Sequence, residues 1–170
     1  MEIKEIESHI NKVPDYPKPG ILFYDISTLI FNKDAFSSSI KKLTDKVKDY
    51  EFDFIASIDA RGFLFGSALA YSLGKGLVMV RKKNKLPGKT ISYDYELEYG
   101  IDTLEINIEA KGKKFLLVDD LLATGGTANA ALELIKKAGG DTSCFLSLIE
   151  LTFLNGRKKI QVPMESLIQY

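Results

Sequence analysis

Apolar residues recur along this chain with two different periods, and stretches of each alternate. Ile3, Ile6 and Ile10 fall on one helical face, so residues 1–12 are expected to form a short amphipathic helix. Pro14, Pro17, Pro19 and Gly20 then break the chain. Ala35, Phe36, Ile40, Leu43 and Val47 keep a helical period over residues 34–50. Residues 52–58 are a short apolar strand, 63–73 a helix rich in small residues, and 77–80 another strand. Residues 81–100 fit no element. Along 101–109 polar and apolar positions alternate, with Ile101, Thr103, Glu105, Asn107 and Glu109 on one side and Asp102, Leu104, Ile106 and Ile108 on the other, as in a half-buried strand. A buried strand at 115–118, a helix at 127–138 closed by Gly139-Gly140, and a strand at 143–149 complete the pattern.

Short strands alternating with helices predict an α/β fold around a mostly parallel sheet. Ligands of such sheets sit at the carboxyl ends of the strands. Asp59, Asp119 and Glu150 all fall at expected strand ends, so one crevice is expected to collect them. The 170 residues suit one domain, with 23 basic against 23 acidic side chains and no net charge. That balance speaks against general nucleic-acid or membrane-surface binding. No apolar run approaches the roughly 18 residues of a membrane span, and the first residues do not read as a signal peptide. The lone Cys144 lies in an apolar stretch and reads as a small core residue, which suits the reducing cytoplasm.

The chemistry concentrates in FLLVDDLLATGGTANAA, residues 115–131. The turn Ala123-Thr124-Gly125-Gly126-Thr127 opens a helix, where backbone N–H groups and the positive helix end favour an anion and two threonine hydroxyls add donors. Neither a P-loop lysine nor a G-x-G-x-x-G pattern is present. Carboxylates repel phosphate but accept hydrogen bonds from vicinal hydroxyls. With Asp119 and Asp120 on a diol and phosphate on the turn, the set describes a ribose 5-phosphate; the bland reading is a strand-to-helix turn with a solvated acidic pair. A second turn, SIDARGFLFG, places Arg61 at a helix start, either to fork onto phosphate or to pair with Asp59. Residues 81–100 carry Arg81, Lys82, Lys83, Lys85 and Lys89 ahead of several tyrosines, which suits a solvated loop or a basic lid over an anion. The only histidine, His9, lies far from these motifs and reads as a surface or packing residue.

VDDLLATGGT resembles the phosphoribosyl pyrophosphate motif of type I phosphoribosyltransferases. PKPGILFYDIS, DARGFLFG, RKKNKLPG, ELEYG and IELTFLNGR extend the resemblance, in order along nearly the whole chain, to the branch of that family that uses adenine. The resemblance implies a parallel sheet flanked by helices, a small hood from residues of about 1–33 and 150–170, and a flexible lid of about 81–100, all in one domain. It places pyrophosphate at Arg61, in a loop where family members often carry a non-proline cis bond, expected here near Asp59–Ala60. It sends Arg81, Lys82 and Lys85 to pyrophosphate in a neighbouring subunit's site, which implies a homodimer. It assigns Glu98 to the base, with Tyr99 beside it. It sandwiches adenine between Phe23 and Leu151, with the backbone of Leu22 and Tyr24 reading the base edge; Tyr24 stands where arginine is frequent. Mg²⁺ is expected on substrate oxygens and water.

The implied reaction moves the 5-phosphoribosyl group from phosphoribosyl pyrophosphate to N9 of adenine, releasing AMP and pyrophosphate. A relative taking guanine or hypoxanthine would need an inverted donor–acceptor edge. A non-catalytic nucleotide sensor would be expected to lack the basic loop or Glu98, and this chain has both.

Overall fold

The computed structural model describes residues 1–97 and 100–170, and the chain forms two compact units, Met1–Lys42 and Leu43–Tyr170. In the first, helix α1 covers only Ile3–Glu7, started by a Glu2–Glu5 capping box. The expected helix through residue 12 stops early because strand β1 (Asn11–Pro14) pairs antiparallel with β2 (Leu22–Asp25). Of the expected stripe Ile6 and Ile10 are buried and Ile3 is exposed, so both the stripe and its element were read only in part. The proline-rich connection contains a cis Tyr16–Pro17 bond, and the Asp15 carboxylate accepts the Gly20 N–H at 2.7 Å. Helix α2 (Ser27–Phe31) follows, tied back by the Thr28 hydroxyl, which donates to the His9 carbonyl at 2.6 Å. Asn32 then accepts the N–H groups of Asp34 and Ala35 and starts α3 (Lys33–Val47), whose Ala35, Leu43 and Val47 are buried as their spacing requires.

The second unit is built on a seven-stranded sheet. Its strands are β3 (Phe54–Ile58), β4 (Gly76–Lys82), β5 (Ile91–Leu97), β6 (Gly100–Ile106), β7 (Lys114–Leu122), β8 (Asp141–Glu150) and β9 (Met164–Gln169). The order is β5-β6-β4-β3-β7-β8-β9, parallel from β4 to β9, with β5–β6 added antiparallel at one edge. Helix α4 (Gly62–Leu73) connects β3 to β4, and α5 (Gly126–Lys137) connects β7 to β8. Phe115, Phe145, Leu104, Ile58 and Leu134 belong to the continuous apolar core between sheet and helices.

Within 81–97, unassigned from sequence, β4 runs to Lys82 and 91–97 form β5. The polar side of 101–109 is not solvated as expected, for Thr103 and Glu105 are both buried. Both are satisfied: the Thr103 hydroxyl donates to Asp94 of β5 at 2.7 Å, and Glu105 accepts the N–H of Asn84, after β4, at 3.0 Å. Residues 150–170, which the resemblance groups with 1–33 in a hood, belong to the second unit and contain β9.

Candidate active site

β3 is flanked by β4 on one side and β7 on the other, so the connection after β3 leaves in one direction and later strands add in the other. Such a switch point opens a crevice at the carboxyl ends of the two strands. A cleft of about 420 Å³ lies there, lined by Asp59, Ala60, Arg61, Lys82, Asp119, Asp120 and residues 121–128. The sequence places both aspartates where hydrophobicity stops, but β7 continues through them to Leu122 because β8 still pairs with it there. The strand partner on the other side ends earlier, at the Ser57–Val118 pair, and that difference leaves the aspartates on the crevice wall.

α4 approaches closely. A Cβ at Gly62 would stand 2.9 Å from Asp119 Oδ1 and 3.1 Å from the Val118 carbonyl, so only glycine allows this helix start. The approach carries Arg61, whose Nε lies 3.0 Å from Asp120 Oδ2. Arg61 therefore faces the cleft on Asp120. Asp59 is occupied by the end of β4: it accepts Arg81 Nε at 3.2 Å and the Lys82 N–H at 3.3 Å. The Asp59–Ala60 bond is cis, where the resemblance expects it.

Burial and the adjacent Asp120 charge push the Asp119 carboxyl well above its usual range, while the Asp120 N–H, donated to Asp119 at 2.8 Å, works the other way. Burial also raises Asp120, and the Arg61 cation opposes it. Two crowded carboxylates make a strong acceptor pair for hydroxyl donors and a poor one for phosphate. The turn supplies the opposite character. Gly125, the N-cap residue before α5, has φ of +81°, and no side chain caps the helix, so its first N–H groups keep their donor capacity.

Lys82 enters from the β4 end. Its ammonium pairs with Asp102 and lies 3.1 Å from the Tyr95 hydroxyl, which stands 3.5 Å from the Thr127 hydroxyl. Burial disfavours the Lys82 charge, yet its bonds to Asp102 and Tyr95 outweigh this and raise its pKa. Burial likewise works against Asp102, and the Lys82 bond outweighs it and lowers that carboxyl. Sequence reading missed Asp102 and Tyr95, although an acid alternating with Leu104 and Ile106 on an apolar stripe was a visible sign of a paired charge.

Glu150 does not join the crevice. It is buried and held by Arg157, whose Nε donates to it at 2.8 Å, by Ser166 at 2.8 Å and by Gln169 at 3.2 Å. Lys85 is exposed, and Arg81 is engaged with Asp59 and with the Lys85 carbonyl. Of the expected base contacts, Leu22, Phe23 and Tyr24 lie on β2 of the first unit: Leu22 exposed, Phe23 edge-on to Tyr16 at 5.1 Å, Tyr24 buried. Leu151 follows β8, is buried, and donates its N–H to the Leu122 carbonyl at 2.9 Å. His9 belongs to the first unit. The expected roles of Glu98 and Tyr99 fall outside the described residues.

Paired aspartates and an uncapped glycine turn at a switch point make a site for a sugar phosphate, and residues 30–159 match the family model of the phosphoribosyl transferase domain. The chain belongs to the phosphoribosyltransferase family. Its relatives include adenine phosphoribosyltransferases from Thermoanaerobacter sp., 51% identical with all of both chains covered, and from Rhodospirillum centenum, 50% identical with 98% of each covered. Among solved structures it resembles the adenine phosphoribosyltransferase of Thermoanaerobacter pseudethanolicus, with TM-score 0.96, 48% identity, and 99% of this chain and 100% of the other covered. The Saccharomyces cerevisiae enzyme, complexed with adenine and an imino-altritol bisphosphate, matches with TM-score 0.91, 37% identity and 97% of each chain covered.

Proposed function

We infer that the chain transfers the 5-phosphoribosyl group of phosphoribosyl pyrophosphate to N9 of adenine, giving AMP and pyrophosphate. The observation that carries this reading is the juxtaposition of the Asp119–Asp120 pair with the uncapped Ala123–Thr127 turn in one cleft. In this reading the turn binds the 5-phosphate through backbone N–H groups and the hydroxyls of Thr124 and Thr127. Asp119 and Asp120 accept the two ribose hydroxyls and hold negative charge beside C1′ as its bond to pyrophosphate breaks. Arg61, already at the cleft wall, leaves Asp120 in part to neutralise the departing pyrophosphate. Lys82 supplies a second cation there. On the resemblance, Arg81 and Lys85 assist from a neighbouring copy, Tyr99 adds a contact, and Glu98 orients adenine or accepts its N9 proton. The resemblance assigns Phe23 and Leu151 to the purine faces and the backbone of Leu22 and Tyr24 to its edge, a positioning role.

Among the described residues, no group of three or more His, Cys, Asp or Glu could hold a metal ion. Mg²⁺ suits this donor set, because it binds through few carboxylates and keeps substrate phosphates and waters as ligands. Asp59, Asp119 and Asp120 are carboxylates of the cleft wall, where such an ion, when bound, would neutralise pyrophosphate oxygens. The lid role expected of 81–100, the homodimer and the cytoplasmic location belong to the same reading; exposed Leu77 and Met79 on β4 suit a subunit contact.

The test is conversion of radiolabelled adenine to AMP by purified protein with phosphoribosyl pyrophosphate and Mg²⁺, with guanine and hypoxanthine in parallel. AMP formation with matching pyrophosphate release is expected. Conversion of guanine and not adenine would overturn the substrate, and AMP binding without pyrophosphate release would overturn catalysis.

A further inference from the structure

The turn that would grip phosphate is braced from outside its own motif. After β8 the chain makes two short 3₁₀ turns, at Thr152–Leu154 and Gly156–Lys159. The second presses Gly156 onto the anion turn. A Cβ on Gly156 would stand 2.1 Å from the Ala123 carbonyl oxygen and 3.0 Å from the Gly125 nitrogen; a Cβ on Gly125 would stand 2.5 Å from the Gly156 carbonyl oxygen. Two backbone segments thus meet with no side chain between them. Such contacts between main chains have no flexible end to yield.

The bracing segment is itself held at several points. At its start the Leu151 N–H donates to the Leu122 carbonyl at 2.9 Å, one residue before the turn. The Thr152 hydroxyl donates to the Tyr170 carbonyl at 2.6 Å. Directly after Gly156, Arg157 forks onto the buried Glu150, with Nε to Oε1 at 2.8 Å, and its Nη1 donates to the Met164 carbonyl at 3.0 Å. Ser166 and Gln169 of β9 complete the carboxylate's partners. The fork and the β9 hydroxyl hold the Glu150 carboxyl below its usual range against the effect of its burial. A bidentate pair of this kind fixes orientation as well as position.

We propose that Gly156, locked by the Arg157–Glu150 fork, is a positioning residue that sets the geometry of the Ala123–Thr127 turn for a phosphate monoester. The proposal rests on the reading of that turn as the 5-phosphate site. It makes three residues outside the turn determinants of phosphate affinity. A methyl group at Gly156 must displace one backbone by on the order of 1 Å to restore ordinary contact, and a misplacement of that size typically costs about 10²-fold in a positioned site.

The experiment compares the full-length protein with Gly156→Ala and Arg157→Lys, the second keeping the charge and losing the fork. Circular dichroism and melting first select folded protein. Calorimetry then measures ribose 5-phosphate, AMP and adenosine, and steady-state kinetics gives KM for phosphoribosyl pyrophosphate and for adenine separately. The expected result is ribose 5-phosphate and AMP binding weakened about 30–100-fold by Gly156→Ala and about 3–10-fold by Arg157→Lys. Adenosine affinity and the adenine KM stay within twofold. Folded variants that bind ribose 5-phosphate as the wild type does overturn the proposal and leave the parent reading standing. Equal weakening of adenosine and AMP also overturns it, since a general structural role would do that. Wild-type protein that binds no ribose 5-phosphate removes the parent reading and this proposal with it. Where Gly156→Ala does not fold, Arg157→Lys alone decides by the same split.

Discussion

Replacing Asp120 by asparagine separates what this carboxylate does for the fold from what it does for the reaction. Asp120 Oδ2 lies 3.0 Å from Arg61 Nε, and at an effective dielectric of about 20 unit charges at that distance attract by about 5–6 kcal/mol. The Arg61 side chain is 42% exposed, so solvent screening reduces that attraction. Opposing it is the cost of keeping a carboxylate that is 5% exposed, several kcal/mol for a buried ion, increased by the neighbouring Asp119. The two sides nearly cancel. Asp120→Asn is therefore expected to change stability by no more than about 1–2 kcal/mol in either direction, about 2–8 °C in Tm for a chain of this length. The reaction has no such compensation. Loss of one preorganised group facing the developing charge costs about 2.7–4 kcal/mol of barrier, or roughly 10²–10³ in kcat. Differential scanning fluorimetry gives the first quantity, and pyrophosphate release at saturating adenine gives the second. A kcat within threefold of wild type would refute the ribose role. A Tm fall beyond about 10 °C would show that the ion pair supports the fold and that the cancellation is wrong.

Asp102→Asn removes the carboxylate that holds Lys82 and leaves its ammonium facing the cleft; inorganic pyrophosphate should then inhibit at about two- to fivefold lower concentration, and unchanged inhibition would show that Lys82 does not reach that anion. The lowered pKa of Glu150 means that its contribution to stability is present above the ordinary carboxylate value of 4.5 and is lost as pH falls through the depressed one. Urea unfolding of Glu150→Gln should accordingly show a deficit at pH 7 that shrinks toward pH 3, and a deficit equal at both would reject the linkage. Burial pushes the Cys144 thiol up to about 11, so iodoacetamide at pH 8 should leave the native protein unlabelled by mass spectrometry and modify it once only in denaturant.

Helices α3, α4 and α5 and the inner strands β3, β7 and β8 were legible because each buries an apolar stripe or run, and burial leaves its period in the residues themselves. The turn at 123–127 was legible for a similar reason, since glycine and threonine at a helix start state their donor capacity locally. Elements held by partners distant in sequence were not legible. β1 ends the first helix through pairing with β2, β5 exists because β6 lies beside it, and β9 takes its place from β8. Glu150 illustrates the same limit. Its position after an apolar strand matches that of Asp59, but Arg157 and Ser166 claim its carboxylate and draw it away from the crevice.

From the residues alone, the chain's class, its strand–helix alternation, its anion turn and the paired acids beside it could all be stated. Hydrogen-bonding capacity, charge and apolar period belong to each residue wherever it sits. Tertiary structure alone decided that β4 and β7 flank β3 and so open the cleft, that Arg61 meets Asp120, that Lys82 rests on Asp102, and that Gly156 bears on Gly125. Those outcomes depend on which groups compete for one partner at ångström distances, and that competition is settled only when the sheet brings distant segments together.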